Sequence, residues 1–292
     1  MPELPEVEAL ARYLTGELAG RTIERADLAT FSALKTFDPP LEALAGRTLV
    51  TATRRGKWLL LDFGADPHSL WLCVHLARGG WVRWKPEAQP PPGRPKGGKS
   101  GLALRLVLDG GGLVDVTEAG TEKRLAVHLA RHPGDVERIA ALGVDPLSVD
   151  FTVERLADLL REHTGQIKKV LTDQEVIGGV GNAYSDEALH VAKLSPFKTS
   201  SKMTDEEVAR LHSAVVEVLR NATERAVGLG ASELKGEKKL GLRVHGRAGE
   251  TCAECGDTIR EVSFATSSLQ YCPTCQTGGK PLADRRLSRL LK

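Results

Sequence analysis

The stretch TCAECGDTIREVSFATSSLQYCPTCQ, residues 251–276, holds four of the chain's five cysteines. Cys252-x2-Cys255 and Cys272-x2-Cys275 flank a gap of 16 residues. This is the spacing of a zinc ribbon, in which each CxxC turn aims two sulfurs at one tetrahedral ion. The residues alone also admit a disulfide or a redox pair. Read as a metal site, four thiolates leave no position open for water, so a single structural Zn2+ would organise backbone and take no part in chemistry. No organic cofactor is indicated. Cys73 stands apart in the apolar run Leu70-Trp71-Leu72-Cys73-Val74 and is expected to be packed core.

On either side of the ribbon the charge and then the hydrophobic period change. From Ala231 to Lys292 there are 11 Lys/Arg against 7 Asp/Glu, a net +4, while the whole chain carries only +2. The tail, ending in Arg285-Arg286-Leu287-Ser288-Arg289, is the basic part. Upstream, Thr152–Glu162, Gln166–Leu171, Asn182–His190 and Thr204–Val227 repeat at helical period, the last opened by the capping box Thr204-Asp205-Glu206-Glu207. Nearer the N-terminus the runs Thr48–Thr53, Trp58–Phe63, Leu70–Leu76, Trp81–Trp84, Leu102–Leu108 and Leu113–Thr117 are β-type, cut by Gly, Pro and Asp. Asp109-Gly110-Gly111-Gly112 reads as a hairpin turn and Pro86–Ser100 as a loop, while Pro5–Leu18 places Val7, Leu10, Ala11, Leu14 and Leu18 on one helical face.

The expected fold class is α+β and multidomain: a β-sandwich with a leading α-helix over 1–132, a linker over 133–150, a helical domain over 151–230, the four-cysteine module over 231–276 and a basic extension over 277–292. With 292 residues, 41% hydrophobic and 27% charged, fibrous and wholly disordered classes are excluded. No window approaches the roughly 18 apolar residues of a membrane span. The start MPELPEVEAL carries acids where a signal peptide is basic and then apolar. A cytoplasmic protein with no membrane association is expected.

Four further stretches can carry chemistry. A small second residue favours removal of Met1, which would expose the secondary amine of Pro2, a nucleophile able to form an iminium ion at a sugar anomeric carbon. Glu3 and Glu6 place carboxylates beside that nitrogen, although Pro-Glu-Leu-Pro-Glu also reads as no more than a helix start. Arg54-Arg55-Gly56-Lys57 is a basic tip between two strands, either a solvated turn or a rigid mount for a lysine. His75 ends an apolar strand ahead of Ala77-Arg78-Gly79-Gly80. Gly178-Gly179-Val180-Gly181-Asn182 joins two helices and is either a tight turn or an approach for an anion to a helix N-terminus.

Together these stretches resemble the bacterial formamidopyrimidine-DNA glycosylase and endonuclease VIII family over almost the whole chain. The resemblance rests on Met1-Pro2-Glu3-Leu4-Pro5-Glu6-Val7-Glu8, on Arg54-Arg55-Gly56-Lys57-Trp58-Leu59-Leu60-Leu61 and on Val74-His75-Leu76. It continues through Gln166-Ile167-Lys168 and Gly178-Gly179-Val180-Gly181-Asn182-Ala183-Tyr184, which match a helix-two-turn-helix, and ends in the four cysteines. It implies a base-excision repair enzyme that flips a damaged base out of duplex DNA. Pro2 is then the nucleophile, Glu3 the proton donor, Lys57 a phosphate contact that assists protonation, and Glu6 a residue that shapes the site. His75, Lys168 and Asn182 correspond to residues that hold phosphates around the flipped nucleotide. The implied partner is damaged double-stranded DNA lying in a cleft between the two halves, bound by a monomer.

Departures from the family pattern leave the lesion open. Arg78 stands where relatives carry a methionine wedge. Thr117-Glu118-Ala119-Gly120-Thr121-Glu122-Lys123-Arg124 replaces a stretch that supplies an arginine and a phenylalanine against the opposite strand. Ser267 lies five residues before Cys272, where the finger's phosphate-gripping arginine is usual, and Arg260 is its candidate substitute. The short connection from Leu234 to Cys252 resembles the endonuclease VIII arrangement. The rivals are a lyase-dominant or pyrimidine-specific enzyme and a non-catalytic reader of damaged DNA.

Overall fold

The structure, a computed structural model, describes residues 1–64, 69–88, 101–265 and 267–283. The expected loop from residue 89 to Ser100 and the basic extension from residue 284 onward lie outside the described residues. The chain divides into two compact units, Met1–Ala141 with Ala226–Lys235, and Leu142–Arg225 with Gly236–Lys292.

The first unit opens with α1 (Leu4–Leu18), with Pro5 in its first turn, where a missing N–H costs nothing. Strands follow as β1 (Ile23–Leu28), β2 (Thr51–Arg55), β3 (Trp58–Asp62), β4 (Trp71–His75), β5 (Gly80–Lys85), β6 (Leu102–Leu108), β7 (Leu113–Glu118) and β8 (Ala126–Ala130), then the short α2 (Glu137–Ala140). They form two four-stranded antiparallel sheets, β1-β6-β7-β5 and β2-β3-β4-β8. Leu10 and Leu14 of α1 share one hydrophobic core with Leu59, Leu72 and Val74 of one sheet and Leu104, Val114 and Val116 of the other. This is the expected sandwich with its leading helix.

Two strands were not read from the sequence. β1, Ile23-Glu24-Arg25-Ala26-Asp27-Leu28, is charged and only half buried, and owes its extended form to the ladder with β6. β8 is short, lies at the edge of its sheet beside β4, and gains on its other side a parallel bridge from Val127 to Leu34. The β6–β7 turn is where expected, with positive φ at Gly110, Gly111 and Gly112. At Gly112 a Cβ would come within 2.4 Å of the Trp84 ring, so this turn needs glycine for space as well as for φ.

The second unit contains α3 (Val153–Glu162), α4 (Ile167–Thr172), α5 (Asn182–Val191) and α6 (Asp205–Ala226). The capping box is present: Thr204 N–H donates to Glu207 Oε2 at 2.9 Å and Glu207 N–H to Thr204 Oγ1 at 3.4 Å. After α7 (Leu234–Gly241) comes a hairpin of β9 (Arg260–Ser263) and β10 (Ser268–Tyr271), closed by α8 (Pro273–Thr277). The segment Ala226–Lys235 belongs to the first unit, where Ala231 O accepts the Trp81 indole N–H at 2.9 Å. No helix of the described residues is long and apolar enough to cross a membrane.

Candidate active site and metal centre

The start of α1 and the β2–β3 hairpin are brought together side by side. Thr15 Oγ1 donates to Ala52 O at 3.0 Å, Ala52 N–H returns a bond to Thr15 Oγ1 at 2.8 Å, and Glu8 pairs with Arg54 at 3.0 Å. Moving toward the N-terminus of α1 is therefore moving toward the hairpin tip, where Gly56, at φ +55°, and Lys57 make the turn. Glu3, Glu6 and Lys57 are 2%, 3% and 7% exposed, and Pro2 is buried as well. Charged groups are buried this deeply only when other groups compensate them, which marks the cluster as specialised. Glu3 and Glu6 close a reciprocal cap, with Glu3 N–H donating to Glu6 Oε2 at 2.8 Å. The cap fixes both carboxyls on rigid backbone.

His75 lies next to this tip, across the ladder from Trp58, with ring centroids 5.0 Å apart. Burial, reinforced by the charges of Arg138 and Lys57, pushes its pKa down to about 4. At neutral pH it is an uncharged ring, so it offers a phosphate an N–H and not a cation. Its Nδ1 is buried without a hydrogen-bond partner. Arg78 is exposed beyond the same strand, after Ala77 at φ +49°. Cys73 is core, as its run suggested.

In the second unit Lys168 is held by three neighbours on α5. Its ammonium donates to Asp186 Oδ1 at 2.6 Å, Ser185 Oγ at 2.7 Å and Asn182 O at 3.1 Å. Three acceptors match its three protons and tie α4 to α5. Asn182 opens α5 as foreseen and uses one amide N–H on Ser268 O at 2.7 Å. The glycine loop is similarly occupied: Gly178 N–H donates to Val144 O at 2.9 Å and Gly179 N–H to Gln174 Oε1 at 3.0 Å.

Two consecutive acids, unnoticed in the sequence, hold the unit together. Asp186 takes Lys168 on one oxygen, and His245 Nδ1 at 2.7 Å and Gln270 N–H at 3.1 Å on the other. Glu187 accepts the backbone N–H groups of Arg243, Val244 and His245 at 2.7 to 2.9 Å. Burial raises the Glu187 pKa against the pull of those three donors. Only their position on a buried face of α5 would have flagged them.

The cysteines converge. Cys255 Sγ is 3.3 Å from Cys272 Sγ, and Cys252 Sγ is 4.0 Å from Cys275 Sγ. A Zn–S bond of about 2.3 Å gives tetrahedral S···S edges of about 3.8 Å, so the donor set fits one zinc ion. Asp257 braces the two CxxC turns: its O accepts Cys252 N–H at 2.7 Å and its Oδ2 accepts Thr274 Oγ1–H at 2.8 Å. His190 of α5, absent from the sequence reading, brings Nε2 to 3.4 Å from Cys252 Sγ.

Three family profiles match in order: the formamidopyrimidine-DNA glycosylase N-terminal domain at residues 1–129, the formamidopyrimidine-DNA glycosylase H2TH domain at 142–233, and the zinc finger found in FPG and IleRS at 249–278. The formamidopyrimidine-DNA glycosylase of Chloroflexus aurantiacus is 34% identical over 284 residues, covering 94% of this chain and 98% of that protein. The chain belongs to the formamidopyrimidine-DNA glycosylase family. A formamidopyrimidine-DNA glycosylase-like protein of Mycobacterium tuberculosis is 62% identical over 152 residues, 52% of this chain and 95% of that one. Among solved structures, Lactococcus lactis Fpg in complex with DNA containing an oxidised pyrimidine superposes with a TM-score of 0.82 at 26% identity, covering 94% of this chain and 100% of that one.

Three further positions singled out in the sequence have defined surroundings. Ser267 lies in the β9–β10 turn, where its O accepts Phe264 N–H at 2.7 Å. Arg260 is exposed on β9, opposite Tyr271, at the far end of that hairpin from Ser267. In the stretch without the phenylalanine, buried Glu118 accepts Arg124 N–H at 2.7 Å and Leu125 N–H at 2.9 Å, closing the segment into a tight loop.

Proposed function

We propose that this protein is a bifunctional DNA glycosylase and abasic-site lyase that removes oxidised bases from duplex DNA, acting as a cytoplasmic monomer. The observation that carries the reading is that Pro2, Glu3, Glu6 and Lys57 are all buried, three at a capped helix start and one at the tip of the hairpin packed along that helix. With Met1 removed, the Pro2 nitrogen lone pair attacks C1′ of the flipped nucleotide. Glu3 gives a proton to the sugar ring oxygen as the ring C1′–O bond opens, the base departs with the C1′–N bonding pair and takes up the proton that the Pro2 nitrogen loses, and an iminium ion joins Pro2 to C1′. Loss of a C2′ proton then expels the 3′ phosphate, and a second elimination expels the 5′ phosphate. Lys57 and neutral His75 supply donors to phosphate oxygens, and Asn182 can add its second amide N–H. The zinc ion, when bound, holds the finger's fold and is no part of these steps.

Borohydride trapping tests the reading on duplexes containing 8-oxoguanine, a formamidopyrimidine, thymine glycol, dihydrouracil or a plain abasic site. A covalent adduct is expected, and the productive duplex identifies the lesion class. No adduct on any duplex, with DNA binding intact and Met1 absent by intact mass, leaves a non-catalytic reader. Glu3→Gln should lower base excision by about 10²- to 10⁴-fold while preserving DNA affinity; equal loss of both would make Glu3 structural. A preference for oxidised pyrimidines is favoured by one observation: residues 234–241 fold as the short helix α7 where a long purine-capping loop would otherwise run.

A further inference from the structure

His190 is used neither by the cysteine spacing nor by the proposed reaction. It sits near the C-terminal end of α5, only 3% exposed. Its Nε2 and the sulfurs of Cys252, Cys272 and Cys275 all lie within 4.8 Å of one another. Cys255 falls outside that quartet, although its Sγ is 3.3 Å from Cys272 Sγ, and it is the exposed member of the four cysteines. Five donors therefore surround a centre that needs four.

The 3.4 Å separation of His190 Nε2 and Cys252 Sγ suits two arrangements. With a Zn–N bond of about 2.0–2.1 Å and a Zn–S bond of about 2.3 Å, a tetrahedral N···S edge is about 3.5 Å, so the distance fits two ligands of one ion. It equally fits an N–H···S bond onto a thiolate. The other ring nitrogen decides between them. His190 Nδ1 is buried with no hydrogen-bond partner. If the proton is on Nε2, Nδ1 is only a lone pair without a donor. If Nε2 binds metal, the proton must move to Nδ1 and become a buried, unsatisfied donor, which is the costlier state. Cys255, with no such cost, takes the fourth position while it is present.

We propose that His190 is the reserve fourth ligand of the zinc centre. In the four-cysteine state its Nε2–H donates to Cys252 Sγ. Where the Cys255 thiolate is removed, the ring proton shifts to Nδ1 and Nε2 takes the vacant position, giving a site of three cysteines and one histidine. The ring keeps one proton throughout, so the exchange needs no acid or base in net. Because α5 also carries Asn182, Asp186 and Glu187, the reserve ligand would keep the finger anchored to the helix that already braces it.

The test uses the full chain with cobalt(II) in place of zinc, read by absorption and not by activity, so it stands or falls independently of the glycosylase reading. Cys255→Ser should bind one cobalt per chain, lose about one quarter of the sulfur-to-metal charge-transfer intensity because three thiolates remain of four, and keep tetrahedral d–d bands shifted to higher energy. His190→Phe should keep the four-thiolate spectrum but release metal to a chelator about 10-fold more readily, the scale of losing a ligand's hydrogen-bond partner. The double variant should lose the tetrahedral bands. If His190→Phe leaves the Cys255→Ser spectrum unchanged, or if Cys255→Ser releases metal as completely as the double variant, the proposal fails. A measurement on the unaltered zinc protein guards against misfolded variants: long-range 1H–15N correlation should find His190 protonated on Nε2, and protonation on Nδ1 overturns the four-cysteine half of the proposal.

Discussion

Asp115 and Asp186 are both nearly sealed from solvent, and both meet two basic side chains, yet they do different work. Asp115 is held within one sheet: Arg105, its partner across the β6–β7 ladder, gives it two bonds of 2.6 and 2.9 Å, and Lys85 on β5 gives one of 2.8 Å. Burial alone would raise its pKa, and the bonds from Arg105 and Lys85 outweigh that and hold it below the usual carboxylate range. Asp186 instead joins α5 to α4, to the segment ahead of the finger and to β10. The first carboxylate fixes register between neighbours that already pair through backbone. The second substitutes for backbone pairing among segments that have none.

Removing each carboxylate should therefore cost unequally. Asp186→Ala leaves the Lys168 ammonium buried without its counter-charge and frees Gln270 N–H, and is expected to cost about 3–5 kcal/mol in denaturant unfolding and to loosen the finger. A cost equal to that of the Asp115 variant would erase the contrast. Next comes pH. His75 has a folded pKa of about 4 against an ordinary 6.5, so the unfolded chain binds the extra proton between those values. Stability is full above pH 6.5 and falls as the pH drops toward 4, by up to about 3 kcal/mol. Asp115 works in the same sense only below the usual carboxylate range, so His75→Phe should flatten the slope of unfolding free energy between pH 6.5 and 4.5 and leave the steeper fall beneath it. An unaltered slope would show that His75 is not the group responsible.

The smallest of these effects belongs to the sheet. Asp115→Asn keeps shape and should cost about 1–3 kcal/mol, because the Lys85 side chain, 45% exposed, can turn to water while only Arg105 is stranded. Replacing both partners, Arg105→Met with Asp115→Leu, should recover most of that loss. A double variant less stable than Asp115→Asn would mean that the pair specifies β6–β7 register.

What the sequence made legible follows the same division. The four cysteines, the Thr204 capping box, the Asp109–Gly112 turn and the runs of β3, β6 and α6 are local signals, each carried by residues a few positions apart. β1 was missed because its residues are charged and its extended form comes from β6, some 80 positions away. Asp186, Glu187 and His190 looked like an ordinary helix, since their partners lie roughly 60 to 90 residues downstream. Lys168 was matched correctly to a motif, but its three acceptors are a tertiary fact that no motif contains.

The return of Ala226–Lys235 to the first unit has a consequence for how the chain can be cut. The backbone passes between the units at three places, after Ala141, Arg225 and Lys235. A single proteolytic nick at any of them leaves two covalent links in place. A gene fragment ending at Ala141 would encode the whole of both sheets and still leave the Trp81 indole N–H facing the gap where the Ala231 carbonyl belongs. Neither half can be obtained intact by choosing one stop codon.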